Sequence, residues 1–321
     1  MKAAIVGAGH VSGGIARAYA MSHIESYRAL RDKLSLVAIA DISAQRRDLA
    51  RKRLPDIRVY RDIDNLLEHE EIDILSICAP DETHEELVLK AMESNVRGIW
   101  CEKPMCLSVE GANKIIAKNR NKKIPIQVNY FRRFVPEIQK IHAIISSGKY
   151  GKIKLINGFY ADTLIHNGTH LFDLILYLAG RLEVISAFRL EKLDRHKDGS
   201  VFVAGKIGDS ASCIIQPFKR KYFNIFELDI FLERARIRII EGARRIEIYR
   251  IVQDKAVPGL RMTERSPLIM ECDWKGAFNL ALSDLLGAVQ GRHKDTLSSP
   301  ENSLLLAMLF HKIGAILSKG S

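Results

Sequence analysis

The stretch "KAAIVGAGHVSGG", residues 2–14, decides the fold of this chain. Its opening apolar run is typical of a buried strand, and glycines follow it immediately. Gly7 permits a tight turn, Gly9 lets the backbone approach a phosphate, and the helix predicted over 13–22 offers free N–H groups to an anion. Ser12 stands where a third glycine is usual. The stretch predicts a dinucleotide-binding turn; the alternative is a glycine-rich turn without a ligand.

Strand and helix patterns alternate through the first 125 residues. Short, almost continuously apolar runs predict strands at 2–7, 35–41, 57–60, 72–80, 96–102 and 125–130. Amphipathic stretches between them predict helices at 43–54, 82–94 and 108–118. This alternation is typical of a parallel sheet covered on both faces. We therefore expect an α/β fold whose first domain, residues 1–125, is a doubly wound Rossmann sheet that binds NAD.

The pattern changes after about residue 150. One helix is predicted over 169–179, and a strand-rich tract with charged and glycine turns then runs to about 251. Two further helices are predicted near 274–290 and 301–318. Residues 126–321 are therefore expected to form an α+β domain with a large, mostly antiparallel sheet.

Composition narrows the class of protein. The chain has 321 residues, 47% of them hydrophobic and 27% charged, as in soluble globular proteins. No stretch is apolar enough to span a bilayer, and the start runs into a strand without room for a signal peptide. Five cysteines, an odd number without metal-finger spacing, are typical of reduced thiols. We expect a cytoplasmic protein that binds no membrane.

The formal net charge of +11 raises the question of whether the chain binds nucleic acid. The basic residues are spread through periodic segments and do not form one stripe, which argues against a nucleic-acid interface. A small anionic substrate, such as a sugar nucleotide or a sugar acid, explains the excess at least as well.

Asp41 ends the second predicted strand. A carboxylate there accepts hydrogen bonds from ribose hydroxyls and repels a 2′-phosphate, which favours NAD over NADP. Arg46 and Arg47 argue in the other direction. The alternative for Asp41 is a solvated strand-end carboxylate.

Lys103 lies in "CEKP", residues 101–104, at the end of the fifth predicted strand. The carboxyl ends of parallel strands meet at one edge, so Lys103 is expected in the cofactor crevice. Pro104 restricts Lys103 to extended geometry and thereby fixes the direction of its side chain. A partly buried ammonium would have a lowered pKa and could share a proton with an alcohol. The alternative is a solvated strand-end charge.

Several motifs occur in a fixed order: the glycine turn, "APDETH" (79–84), "CEKP" (101–104), "VNYFRRFVP" (128–136) and "NGTHLFDLILYLAG" (167–180). Together they resemble the glucose–fructose oxidoreductase, inositol dehydrogenase and rhizopine-catabolism family, Gfo/Idh/MocA. The resemblance implies hydride transfer between a nicotinamide and a secondary hydroxyl or ketone of a sugar or sugar derivative. It also implies that residues 126–321 form an open sheet that serves substrate binding and oligomerisation, and that the protein is a homodimer or homotetramer. It implies Lys103 as a catalytic residue, and it gives the cofactor-binding residues as Gly7, Gly9, His10, Val11, Asp41, Ala79, Pro80, His84, Glu102 and Lys103.

The second domain carries the other candidate groups. His170 lies in the first turn of the helix predicted over 169–179, where the helix dipole favours a neutral imidazole suited to a general base. In the family's Asp-x-Gly-x-His-x-x-Asp pattern, Gly168, His170 and Asp173 match. His166 replaces the first Asp, which favours an anionic sugar over a polyol. Two alternatives stay open, a metal site on these histidines and a packed core histidine at position 170; we expect no metal.

The expected substrate-binding residues are Arg133, His166, Asn167 and Asp173. Arg133 aligns with the family's arginine before Phe-x-Pro and would hold a phosphate or carboxylate; a surface ion pair is the alternative. Asp173 is expected to orient His170 or the helix. Two other functions within the family stay open: a non-catalytic sensor or regulator that binds dinucleotide and sugar, and an enzyme that recycles NAD during elimination or glycoside cleavage.

Overall fold

The structure, a computed structural model, describes residues 1–9, 21–191, 199–209 and 211–319. The first sheet has six parallel strands in these ranges, in the order β3-β2-β1-β4-β5-β6. Their bounds are β1 (Lys2–Val6), β2 (Ser35–Ala40), β3 (Arg58–Tyr60), β4 (Ile74–Ile77), β5 (Gly98–Cys101) and β6 (Ile126–Val128). The predicted Rossmann sheet is thereby confirmed.

Burial explains why the strand sequences are almost uniformly apolar. Every residue of β4 and of β5 is buried, as a sheet with helices on both faces requires. The strand order reverses between β1 and β4, where ligands bind in folds of this type.

Nine helices are described: α1 (His23–Ala29), α2 (Ala44–Arg53), α3 (Ile63–His69), α4 (His84–Ala91), α5 (Val109–Lys122), α6 (Pro136–Ser146), α7 (Thr169–Ala179), α8 (Ala277–Val289) and α9 (Pro300–Leu317). None of these described helices is long and apolar enough to cross a bilayer.

The helix predicted over 13–22 is described only at its last two residues. Residues 10–20 lie outside the described part of the chain, but Met21 and Ser22 are not helical. Ser22 has extended geometry, and its hydroxyl accepts a hydrogen bond from the N–H of Glu25. Because this is the geometry of an N-cap, the helix begins at His23.

The second sheet has nine strands among the described residues, in the order β14-β13-β12-β11-β7-β10-β9-β8, with β15 on β13. Their bounds are β7 (Ile153–Ala161), β8 (Leu182–Glu191), β9 (Ser200–Ile207), β10 (Ala211–Phe218), β11 (Phe226–Leu232), β12 (Ala235–Ile240), β13 (Arg245–Gln253), β14 (Arg261–Thr263) and β15 (Leu268–Glu271). The strand pairs described in this sheet are antiparallel except β7 with β10, which confirms the predicted mostly antiparallel sheet.

Contacts divide the chain into two compact units, one of residues 1–134 and 275–307 and one of residues 135–274 and 308–321. Helix α8 belongs to the first unit because it packs on β5 so closely that a Cβ on Gly98 would lie 2.7 Å from Val289 Cγ2. The predicted division of roles between residues 1–125 and 126–321 stays a prediction.

The outer edge of the first sheet is covered by a late part of the chain. The N–H of Val128 donates to the carbonyl of Ser298, and the Thr296 hydroxyl donates to the carbonyl of Ile126. The covered edge leaves fewer backbone groups of β6 open to other chains.

Candidate active site

The carboxyl ends of the parallel strands bring six of the predicted residues to one edge of the first unit. Gly7 follows β1 and Asp41 follows β2, while Ala79 and Pro80 come after β4, and Glu102 and Lys103 after β5. Backbone hydrogen bonds hold this edge together. The N–H of Gly7 donates to the Ala40 carbonyl at 2.8 Å, and that of Glu102 to the Ile77 carbonyl at 2.9 Å.

The glycine turn requires glycine at position 7. Gly7 has a φ of +95°, and a Cβ there would lie 2.6 Å from the carbonyl carbon of Cys78. At Gly9 the space that a Cβ would fill contains no described atom within 4 Å. An open backbone at the end of β1 fits a dinucleotide phosphate. His10 and Val11 lie outside the described residues.

Asp41 is tied to the glycine turn. Its Oδ2 accepts from the N–H of Ala8 at 2.7 Å, and its Oδ1 accepts from the N–H of Ser43 at 2.8 Å. The side chain of Arg46 lies 3.7 Å from Oδ2. Asp41 is 4% exposed, so the alternative of a solvated carboxylate is wrong. Each oxygen keeps a second lone pair for a ribose hydroxyl, so these residues fit NAD.

Lys103 is half-buried, which is inconsistent with a fully solvated strand end. Its peptide bond to Pro104 is cis. Burial lowers the pKa of the ammonium, and the neighbouring Arg132 guanidinium adds to this; the Glu102 and Asp81 carboxylates act in the opposite direction without cancelling it. A lysine with a lowered pKa is suited to proton transfer with an alcohol.

Glu102 lies in a buried network that the motifs did not reveal. Its Oε1 lies 2.9 Å from His23 Nε2 and accepts from Asn129 Nδ2 at 2.6 Å. Burial alone would raise the pKa of Glu102, but the hydrogen bond and charge of His23, the hydrogen bond from Asn129 and the charge of Lys103 hold it below its usual value. The carboxyl group is therefore ionised inside the protein.

The network continues away from the edge. His23 Nδ1 lies 2.8 Å from Ser76 Oγ, which lies 2.6 Å from the Tyr27 hydroxyl. The Trp100 ring stacks on the imidazole with 3.7 Å between centroids. Two sequence signals were available: Ser76 is the only polar residue of β4, and His23 and Tyr27 are spaced i, i+4 on one helix face.

His84 is fully buried, and its ring lies between two backbone carbonyls. Nδ1 is 2.7 Å from the Pro104 oxygen and Nε2 is 2.8 Å from the Ala79 oxygen. The histidine joins the loops after β4 and β5, both of which were predicted to bind the cofactor. Its observed bonds therefore support that backbone; a direct bond to the cofactor stays a prediction.

Arg133 is 3% exposed, so the alternative of a surface ion pair is wrong. Its Nη1 donates to the carbonyl of Leu297 at 3.2 Å, within the segment that covers β6. This bond ties Arg133 to the segment that covers the sheet edge. The binding of a substrate anion by Arg133 stays a prediction. The guanidinium of its neighbour Arg132 lies over the Phe131 ring, 4.7 Å from the centroid.

In the second unit, a π-helical turn over Leu164–Gly168 leads directly into α7. Such turns are frequent at functional sites. The cap position of α7 is Gly168, and no side chain donates or accepts a capping hydrogen bond there. A Cβ on Gly168 would lie 3.3 Å from the ring of Tyr160, which explains a glycine there.

The candidate side chains of this turn differ in exposure. His166 is exposed, Asn167 and His170 are half-buried, and Asp173 is buried. His170 is therefore not a fully packed core histidine, and the side chain of Asp173 lies in the interior of the unit. Their catalytic and substrate-binding roles stay predictions. Within the described ranges, no group of three or more His, Cys, Asp or Glu side chains could hold a metal ion.

Comparison with known proteins agrees with the dinucleotide-binding site predicted at this edge of the first sheet. Residues 1–130 match the family GFO_IDH_MocA, described as an oxidoreductase family with an NAD-binding Rossmann fold. The chain is 24% identical to myo-inositol 2-dehydrogenase of Thermotoga maritima over 249 residues, 71% of this chain and 68% of that protein. It is 29% identical to rhizopine catabolism protein MocA of Rhizobium meliloti over 192 residues, 55% of this chain and 56% of that protein.

Solved structures share the whole fold. WlbA dehydrogenase of Bordetella pertussis, in complex with NADH and UDP-GlcNAcA, superposes with a TM-score of 0.82 at 16% identity, covering 100% of this chain and 97% of that one. The sequence alignments with the two relatives cover about two thirds of the Thermotoga protein and about half of MocA. The predicted family resemblance and the predicted NAD-binding fold are confirmed: residues 1–130 match the Gfo/Idh/MocA family of NAD-binding oxidoreductases.

Proposed function

We propose that this chain is an NAD-dependent dehydrogenase or reductase that moves a hydride between nicotinamide and a secondary hydroxyl, or the matching ketone, of a sugar or sugar derivative. One observation carries the proposal: a half-buried lysine with a lowered pKa lies at the edge that also presents the glycine turn and Asp41. A protein that only bound a dinucleotide would have no need of such a group there.

The bound NAD would supply the hydride acceptor or donor. The chain's own part is to bind and orient the reactants and to move a proton. Lys103 would hydrogen-bond the reacting oxygen and take its proton during oxidation, or return it during reduction. Because its pKa is lowered, a larger fraction of neutral amine is present near neutral pH than in a free lysine. His170 is proposed as a second group that accepts the hydroxyl proton.

Cofactor choice would depend on Asp41. A buried carboxylate with a free lone pair on each oxygen favours two ribose hydroxyls and repels a 2′-phosphate. Arg46 is near enough to offset part of this repulsion. We therefore propose that NAD is bound in preference to NADP.

The substrate class is proposed from charge and from the relatives. The relative from Thermotoga maritima is named for a cyclic polyol, and the WlbA neighbour was solved with a sugar nucleotide that carries an acid group. A net charge of +11 and His166 in place of an acidic residue favour an anionic sugar. Arg133, Asn167 and Asp173 are proposed as further substrate-binding residues, and a homodimer or homotetramer as the assembly.

The test is turnover by purified protein. NADH with keto-sugars, and NAD with myo-inositol or a UDP-sugar acid, would be followed by NADH absorbance. With the substrate found, Lys103→Ala should lower kcat by about 100-fold or more while the protein still binds NADH. Lys122→Ala, at an exposed lysine of α5, is the matched control. A Lys103→Ala protein with near wild-type turnover would remove Lys103 from the mechanism. NADH binding without turnover on any sugar would favour the sensor.

A further inference from the structure

The segment Phe218–Phe223, which follows β10, reads FKRKYF and so has three cations between aromatic residues. We propose that this segment, the basic–aromatic loop, binds the diphosphate and the base of a sugar nucleotide, and that Asp162 is the positioning residue that holds the loop in place. The loop is then an outer part of the substrate site, so this inference rests on the proposed function. It selects a nucleotide-linked sugar from the anionic sugars considered above.

The loop begins at the same edge of the second sheet as the turn that carries His166 and Asn167. Strands β7 and β10 are parallel neighbours, and Ala161 of β7 pairs with Phe218 of β10. Both strands end at this pair, and the chain continues from β7 toward the turn Leu164–Gly168 and from β10 into the loop. The carboxyl ends of two parallel strands thus bring segments that are distant in the sequence to one edge, where ligands bind in other parallel sheets.

Asp162 ties the loop to the residues that lead into that turn. Its N–H donates to the Phe218 carbonyl at 2.8 Å, and its Oδ1 accepts from the N–H of Arg220 at 2.8 Å. Its own carbonyl accepts from the Ser200 hydroxyl at 2.9 Å. Asp162 has a φ of +59°, a left-handed geometry that aspartate, asparagine and glycine adopt more readily than other residues do. The loop is therefore fixed at its base.

The aromatic rings of the loop form an exposed cluster. The ring centroids of Phe218 and Phe223 lie 4.5 Å apart, and those of Phe218 and Tyr222 lie 6.0 Å apart. Tyr222 is 66% exposed and Phe223 is 57% exposed, so covering these rings would remove apolar surface from water. An aromatic ring that is open to solvent offers a face on which a nucleobase stacks.

The cations lie beside these rings. Arg220 and Lys221 are exposed, and the Lys221 ammonium lies over the Tyr222 ring, 5.1 Å from its centroid. The bond to Asp162 comes from the backbone of Arg220, so the guanidinium takes no part in it. A guanidinium binds two phosphate oxygens at once, and the ammonium adds a second positive charge. Cations next to open rings match a group that carries phosphates and a base; a sugar acid has no base.

The probes are UDP and inorganic pyrophosphate, added to protein whose dinucleotide site is saturated with NADH. Calorimetry measures the dissociation constant of each probe. Arg220→Ala/Lys221→Ala should weaken the binding of both probes about tenfold or more, because it removes charge-assisted hydrogen bonds. Tyr222→Ala should weaken UDP binding about tenfold and leave pyrophosphate binding unchanged, because only UDP has a base. The control Lys206→Ala/Lys255→Ala removes two exposed charges from the same unit and should change neither constant.

The role of Asp162 is tested by a pair of variants. Asp162→Ala removes the acceptor for the Arg220 N–H and places alanine at a positive φ, so UDP binding should weaken. Asp162→Asn keeps an oxygen acceptor and tolerates that φ, so it should bind UDP at least as tightly as the wild type. Equal weakening in both variants would remove Asp162 as a positioning residue. If Asp162→Ala does not fold, the variants at the exposed loop positions still test the site.

The proposal is overturned if the wild type does not bind UDP, or if Arg220→Ala/Lys221→Ala binds it with wild-type affinity. It is also overturned if UDP and pyrophosphate bind equally well and Tyr222→Ala changes neither, because an anion site without a place for a base would remain. Binding to phosphatidylserine vesicles that the double variant loses, without UDP binding, would assign the loop to a membrane surface instead.

Turnover separates this inference from the proposed function. A protein that oxidises a free sugar but does not bind UDP keeps the proposed function and overturns the inference. A protein that binds UDP through the loop but transfers no hydride to or from any sugar supports the inference and contradicts the proposed function.

Discussion

His23 Nε2 and Glu102 Oε1 lie 2.9 Å apart although 79 residues separate them in the chain. The contact joins the first described helix to the end of β5, next to the lysine that we propose as catalytic. It places a carboxylate inside the protein and keeps it ionised. The acid stability of the fold should therefore depend on this pair.

Glu102→Gln should make the free energy of unfolding depend less on pH in the acidic range. The pKa of Glu102 is lower in the folded protein than its ordinary value, so its ionisation contributes stability above that ordinary value. This contribution is lost as the pH falls through the folded pKa. Urea unfolding at neutral and acidic pH should show a smaller loss of stability on acidification in the variant than in the wild type. Glu183→Gln, at an exposed carboxylate, should behave like the wild type.

Asp41→Ala should weaken NADH binding by about tenfold or more, because it removes charge-assisted hydrogen bonds to ribose and releases the N–H of Ala8. Repulsion of a 2′-phosphate is lost as well, so the preference for NADH over NADPH should narrow. Calorimetry with both nucleotides measures the two constants. Asp48→Ala, at an exposed aspartate of α2, is the control and should change neither. An unaltered preference in Asp41→Ala would contradict the proposed role of Asp41.

Gly7→Ala should destabilise the fold more than Gly148→Ala. Both glycines have positive φ, +95° and +67°, and alanine is strained at either. Only at Gly7 would the added Cβ also meet backbone, 2.6 Å from Cys78, whereas the space at Gly148 is open. We expect a cost of about 1 kcal/mol at position 148 and clearly more at position 7. Equal losses in denaturant unfolding would show that the turn can relax.

Tyr160→Phe should lower the free energy of unfolding by about 1–3 kcal/mol. The buried Tyr160 hydroxyl donates to the carbonyl of Val201 at 2.7 Å and accepts from its N–H at 3.0 Å. The phenylalanine variant leaves both backbone groups unpaired beneath the turn that carries His166 and Asn167. Tyr222→Phe, at an exposed tyrosine, should cost little. An unchanged free energy of unfolding in Tyr160→Phe would mean that another group takes over both hydrogen bonds.

Much of the architecture could be predicted from local patterns. Apolar runs such as Ile74–Ile77 predict buried parallel strands, and parallel strands place their carboxyl ends together. The edge that holds Gly7, Asp41 and Lys103 follows from that rule alone. β7 was not predicted, because its neighbours β10 and β11 come from much later in the chain and no hairpin pattern marks it. Helix α1, His23–Ala29, was not predicted; its start is marked by the N-cap at Ser22.

The sequence by itself determined the class of fold, the cofactor fingerprint and the position of Lys103, since each depends on a short stretch and on the geometry of a parallel sheet. Tertiary structure alone decided which groups surround Glu102, the residue before that lysine. His23, Ser76, Asn129 and Glu102 come from four separate elements, and their contacts exist only once the sheet is assembled. Burial then sets the strength of these interactions, because a hydrogen bond or a charge is stronger when it is removed from water. A local sequence pattern does not show this burial.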